Sequence, residues 1–221
     1  MHVLVVAPME RERAALPRWS GATVCGVGGD AQGAVAAMLS GHRPDLVLLA
    51  VFAGGLDPSL PPGVTILCRE SIDVDGHALA PSTEFNAAIQ AALHLRQQPF
   101  VRSRLLTIAS PVTGPGAKRD LWNVHGAGGV DMETHGVARA ASEAGVPWVA
   151  LRVVLDPAQH SLPPSLAAWQ SEKDERAIAV AALRRPLEWP GYARLGLDLY
   201  RARPALRRSV AIALRALQPG E

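Results

Sequence analysis

Cysteine and lysine are almost missing from this chain. The two cysteines, Cys25 and Cys68, lie inside apolar runs with no second ligand at metal spacing, so buried free thiols are expected rather than a disulfide or metal pair. Thiols used this sparingly fit a reducing compartment. The only lysines are Lys118 and Lys173, the remaining basic residues being arginines, and this bias is given no functional weight. Net charge is low as well, at +2 over 221 residues, too little to make nucleic acid the main partner. No window holds the roughly 20 uninterrupted apolar residues of a membrane span. The opening MHVLVVAP has no basic leader and runs straight into the charged MERER stretch, so it reads as a first strand and not as a signal peptide. The expectation is a soluble, cytoplasmic protein without internal repeats.

What is present suits a packed core, since 48% of residues are hydrophobic and 19% charged. Short β-branched runs alternate with alanine-rich stretches, the pattern of a sheet covered by helices. Strands are expected over 2–7, 23–27, 45–52, 63–68, 105–109 and 148–154, apolar throughout as in strands buried on both faces. Helices are expected over 9–16, 31–39, 83–95 and 133–144. Ser82 or Thr83 caps the third; Gly145 followed by Pro147 ends the fourth. This places one α/β domain over 1–160 and a helical extension over 161–221, beginning at the Pro163-Pro164 break. From Arg184 onward, eight arginines face only Glu188, Asp198 and Glu221, and Trp189, Tyr192 and Tyr200 interleave with them. Such a tail either packs as a solvated helical extension or rests on an anionic membrane surface.

Four segments stand where an α/β sheet binds ligands, at strand ends. The first is Ala7-Pro8-Met9-Glu10-Arg11-Glu12-Arg13, where Glu10, Arg11 and Arg13 suit a helix start. The second is Phe52-Ala53-Gly54-Gly55-Leu56-Asp57-Pro58, whose glycines permit a tight turn and close ligand approach. The run Gly26-Val27-Gly28-Gly29 lacks the third glycine of a dinucleotide loop, so no Rossmann cofactor is expected. The third is Asp131-Met132-Glu133-Thr134, either a helix cap by Asp131 or a site carrying two acids. The fourth is Arg152-Val153-Val154-Leu155-Asp156-Pro157-Ala158: an acid directly after a buried strand, costly unless partnered, or a plain turn residue.

In this order and spacing the four segments resemble the purine nucleoside phosphorylase superfamily. Ala7-Pro8-Met9-Glu10-Arg11-Glu12 looks like the A-M-E-x-E of the methylthioadenosine/S-adenosylhomocysteine nucleosidases, and Val51 through Leu56 like their G-S-A-G-G-L loop. Asp131-Met132-Glu133 through Ala138 is similar to E-M-E-x-x-x-x-A. Trp148 through Gln159 is similar to F-V-x-x-R-x-x-S-D-x-A-D, with Leu155 and Gln159 replacing the polar residues that flank the acid. Gly54 through Leu60, with Asp156-Pro157-Ala158, resembles most nearly the hopanoid-associated phosphorylases, a group thought to remove adenine from adenosylhopane.

The resemblance implies a mixed central sheet flanked by helices and cleavage of the N-glycosidic bond of a 5′-substituted adenosine. Asp156 would protonate the leaving purine at N7, and Glu133 would bind the ribose hydroxyls, with Met132 packing on the sugar. Glu12 would activate water, while Phe52, Ala53, Gly54 and Arg152 would line the base and nucleophile pocket. Inorganic phosphate, held by Arg152, is the other nucleophile the resemblance allows, and no metal or organic cofactor is implied. Phe52 and Leu155 would make the pocket apolar, which suits a greasy 5′ group. A methylthioadenosine/S-adenosylhomocysteine nucleosidase and a non-catalytic nucleoside-binding protein are the alternatives. A homo-oligomer is expected by resemblance.

Overall fold

The computed structural model describes residues 1–8, 12, 13, 16, 17, 22–25, 30–165 and 184–218. The described elements run β1 (Val3–Val6), β2 (Ala22–Cys25), α1 (Ala31–Gly41), β3 (Leu46–Gly55), β4 (Thr65–Ile72) and β5 (Ala78–Leu79). Then follow α2 (Thr83–Leu95), β6 (Phe100–Thr107), α3 (Pro115–His125), β7 (Ala127–Asp131), α4 (Thr134–Glu143), β8 (Trp148–Asp156) and α5 (Trp189–Leu217).

The strands form one mixed sheet, as the resemblance implies. β1 lies between β2 and β3, parallel to both. β3 runs on past β1, pairs in parallel with β8, and at Gly54 and Gly55 meets β7 antiparallel. β6 lies between β4 and β7, parallel to each, and β4 runs antiparallel to β8. Pairing therefore returns from β3 through β8, β4, β6 and β7 to β3, so part of the sheet closes into a ring. Closure brings the C-terminal ends of β3 and β7 together head-on, which an open sheet cannot do.

The apolar run Leu46–Ala53 is buried on both faces of β3 because helices cover both sides. Ile89 and Leu93 of α2 and Leu206, Val210 and Leu214 of α5 fill one side; Val35 and Leu39 of α1 and Val137 and Ala141 of α4 fill the other. The buried face of α5 recurs every three to four residues, at Asp198, Ala202, Leu206, Ser209, Val210, Ala213 and Leu217. Ser209 meets Thr65 of β4 through a buried hydroxyl pair at 2.7 Å. All eight tail arginines are exposed.

Several elements differ from the sequence expectation. β7 and β5 were not expected, because Ala127-Gly128-Gly129 carries glycines that strands usually avoid. Here they are needed: a Cβ on Gly129 would lie 2.8 Å from Ile66 Cδ1 and 3.2 Å from Leu105 Cδ2. β4 and β6 include the polar runs Arg69-Glu70-Ser71 and Arg102-Ser103-Arg104, paired through an Arg104–Glu70 ion pair at 2.6 Å. α3 was also missed, although Pro115 opens it and left-handed Gly126, at φ 58°, closes it. Ser82 caps α2, and Gly145 follows α4 with φ 66°. Most of the helix expected over 9–16, the 26–29 glycine run and Lys173 lie outside the described residues; Glu12 and Arg13 are helical.

Candidate active site

The end of β3 organises the site. Phe52 donates its N–H to Glu12 Oε1 at 3.4 Å, so β3 anchors the buried Glu12 carboxyl. Two residues further on, roughly 7 Å along the strand, Gly54 stands opposite Asp156 on β8 and Val130 on β7. A bulge makes this possible. Ala53 pairs with Val154, then the register shifts by one, so Asp156 rather than Leu155 faces Gly54. The glycine is required by closeness: a Cβ there would lie 3.2 Å from Val130 Cγ1 and 3.4 Å from Asp156 Oδ2. At Gly55 it would lie 3.2 Å from the Pro157 Cα.

Beyond Val130 the chain enters α4 through Asp131, Met132 and Glu133. Asp131 performs the helix-capping role: its Oδ1 accepts N–H groups from Glu133 at 3.1 Å and Thr134 at 2.9 Å, and the Thr107 hydroxyl at 2.9 Å. Its Oδ2 accepts the Thr134 hydroxyl and pairs with Arg152 Nε at 2.9 Å. Glu133 is thereby left out of the cap; its Oε2 accepts only the Met132 N–H, at 3.3 Å, among the described hydrogen bonds. Burial, with repulsion from Asp131 and Glu12, pushes its carboxyl up to about 7 against the opposing pull of Arg152. Met132 is partly exposed beside it.

Arg152 is fully buried, and its Nε and Nη2 both donate to Thr134 Oγ1. Its Nη1 is buried with no hydrogen-bond partner among the described residues. Glu12, Asp131, Glu133 and Arg152 thus form one electrostatic cluster, three acids around one guanidinium that is already ion-paired.

Asp156 has a different setting. Its carboxyl is buried, and Lys118 Nζ of α3 donates to its Oδ2 at 2.6 Å. Burial pushes the acid up from its ordinary range, and the ammonium opposes this. The sequence reading gave Lys118 no weight; the fold shows it fully buried against this carboxyl. The clue was its rarity in an arginine-rich chain. The polar neighbours that Leu155 and Gln159 replace are compensated from elsewhere. Lys118 supports the acid, and Gln159 Nε2 reaches the Pro58 carbonyl at 2.6 Å, tying the Gly-Gly loop to the 156–160 turn.

Phe52 belongs to the core cluster that α5 covers, and Leu155 packs against it. An open cleft of about 470 Å³ lies between Pro111–Thr113 and α3, and none of the four segments lines it. At the β4–β5 turn, Asp73, Asp75 and His77 bring their ligand atoms within 4.8 Å. There the Asp73 carboxyl closes the turn on the N–H groups of Asp75 and His77 and on His77 Nδ1.

No curated protein matches by sequence. A methylthioadenosine/S-adenosylhomocysteine nucleosidase from Neisseria meningitidis, in complex with methylthio-immucillin-A, superposes with a TM-score of 0.75 at 16% identity, over 97% of this chain and 99% of that one. A futalosine hydrolase mutant from Helicobacter pylori gives 0.74 at 12% identity, over 96% and 98%. The nucleosidase from Colwellia psychrerythraea, in complex with adenine, gives 0.73 at 18%, over 98% and 96%. At such identities the likeness establishes the fold. The sequence model of the Phosphorylase superfamily matches residues 21–185, most of the chain, and the protein therefore belongs to that superfamily.

Proposed function

We propose that this protein cleaves the N-glycosidic bond of a 5′-substituted adenosine with water. The observation that carries the reading is the β3–β7 contact at Gly54 and Val130, with Asp156 against Gly54 and the acidic start of α4 just beyond Val130. Two carboxyls in contrasting electrostatic surroundings are what an acid and a cation-stabilising group require. Asp156, pushed up by burial, donates its proton to purine N7 as the C1′–N9 electron pair leaves with the base. Glu133 accepts hydrogen bonds from the ribose hydroxyls and offsets the charge of the oxocarbenium-like state, with Met132 against the sugar. Glu12 takes a proton from the attacking water.

Water is favoured over phosphate on charge grounds. In the described cluster a phosphate dianion would meet Glu12, Asp131 and Glu133, with Arg152 already paired to Asp131. Two superfamily members of like fold, in complex with methylthio-immucillin-A and with adenine, support a purine nucleoside as substrate. For the 5′ group we infer the apolar side chain of adenosylhopane, from the resemblance. Purified protein is incubated with adenosylhopane, 5′-methylthioadenosine and S-adenosylhomocysteine, with and without phosphate, and adenine is followed. Phosphate-independent release from adenosylhopane is expected. Preference for methylthioadenosine would make it a nucleosidase of that type. Binding without release from any of the three would make it a nucleoside-binding protein.

A second reading concerns α5. Its six arginines are exposed, as are Arg184, Arg185 and Leu187 just before it and Trp189, Leu197 and Tyr200 within it, which suits contact with an anionic bilayer that holds a lipid-like substrate. Removing α5 would strip the core, so the test compares flotation on anionic liposomes of the intact chain and a Leu187→Ser, Trp189→Ser, Tyr200→Ser variant. Equal flotation removes the idea. Homo-oligomer formation rests on resemblance and is tested by sedimentation velocity.

A further inference from the structure

We propose that Lys118 is a positioning residue for the acid: its ammonium locks Oδ2 of Asp156, so Oδ1 is the atom that presents the proton to the base. This rests on the reading of Asp156 as the acid. The lysine carries three N–H donors, and the protein offers four oxygens to them. These are Asp156 Oδ2 at 2.6 Å and the carbonyls of Asp156 at 3.1 Å, Pro157 at 3.0 Å and His160 at 3.1 Å. No donor is left for a ligand, so Lys118 does not touch substrate. Instead, the turn 156–160 wraps around the ammonium, which fixes both the backbone at the end of β8 and the orientation of the carboxyl.

The clamp reaches α5. His160, whose carbonyl binds Lys118, holds its Nδ1 2.7 Å from Oδ2 of the buried Asp198. Among the described residues, the titratable and charged groups bearing on Asp156 are thus Lys118 from α3, Asp198 from α5 and His160 from the turn. Gly54 of β3 and Val130 of β7, which pack against it, carry no charge. Burial and Asp198 favour the protonated acid, and Lys118 favours the carboxylate. In the chemical step the Asp156 O–H bond breaks, N7–H forms, and the C1′–N9 pair goes to the purine. The carboxylate left behind faces an ammonium instead of an unpaired burial. Without Lys118 the acid would hold its proton too tightly and its carboxyl would rotate.

The test reads kcat and KM for adenine release against pH in wild type, Lys118→Met and Lys118→Arg. Lys118→Met is expected to lower kcat on the order of 10- to 100-fold with KM changed less than about 3-fold. Its falling limb moves to higher pH, because removing an adjacent positive charge weakens the acid. Lys118→Arg returns the limb towards the wild-type position. Unchanged kcat and limb in Lys118→Met overturn the proposal. A second measurement needs no variant that must fold without its buried lysine. With only two lysines in the chain, ¹⁵N-lysine labelling of the wild type gives a resolvable ammonium signal for Lys118. That signal should move with pH as Asp156 titrates and lose this movement in Asp156→Asn; a Lys118 signal indifferent to pH overturns the clamp. If no nucleoside yields adenine with wild type, the functional reading fails, while the ¹⁵N titration still decides the clamp.

Discussion

Replacing Glu133 by Gln should stabilise the protein above neutral pH while disabling it. Burial and the neighbouring Asp131 and Glu12 push the Glu133 carboxyl from 4.5 to about 7. Below 4.5 both folded and unfolded chains hold this proton, so the group has no effect on stability. Between 4.5 and 7 the unfolded chain releases a proton that the folded one keeps, and stability falls as pH rises. Above about 7 the whole cost is present. A rise from 4.5 to about 7, at about 1.4 kcal/mol per pH unit, amounts to about 3.5 kcal/mol, a small part of it already present at pH 5. A glutamine has no such term. Urea unfolding of both proteins at pH 5 and pH 8.5 should show the Gln variant gaining stability, relative to wild type, by up to about 3 kcal/mol more at the higher pH. In a chain of this size that is a Tm difference of about 6–12 °C. Adenine release should drop on the order of 10²-fold or more. A stability difference that is the same at both pH values would refute the electrostatic account of Glu133.

Wild-type activity should rise with pH around about 7 as Glu133 ionises, and the fall that marks loss of the Asp156 proton should lie above the ordinary carboxylate range; initial rates that stay flat through pH 7 contradict the assignment. Asp156→Asn should lower kcat on the order of 10²–10⁴-fold while a nucleoside still binds by calorimetry. Gly129→Ala drives a Cβ to 2.8 Å from Ile66 Cδ1 and should cost about 1–3 kcal/mol, whereas Gly116→Ala in α3, with nothing within 4 Å, should be neutral or stabilising. Thr65→Val or Ser209→Ala alone should cost about 1–3 kcal/mol by stranding the other buried hydroxyl, and the double variant should recover much of it. Denaturant titrations check the last two.

Apolar runs, helix caps and breakers made much of the sheet and several helices legible. Continuous burial is written into Leu46–Ala53, Ser82 announces α2, and Gly145 ends α4. Asp156 was legible as a candidate because an acid directly after a buried strand demands a partner, whereas Glu12 and Glu133 were assigned their roles by the resemblance. Their surroundings were not legible. β7 was hidden because its glycines contradict local propensity, and only contact with Ile66 and Ser103 shows why side chains are forbidden there. Leu155 and Asp156 look equivalent in sequence until the bulge turns one towards the core and the other towards Gly54.

The chain alone thus determined which stretches must be buried and which carry chemistry, since hydrophobic periodicity and the cost of burying charge act locally. Which charges face one another was decided by closure of the sheet. Lys118 lies 38 residues before Asp156, and Arg152 lies 21 after Asp131, yet each pair is brought within 3 Å. Electrostatic coupling falls off with distance through space and takes no account of distance along the chain. The division of labour among the acids is therefore a property of the folded molecule.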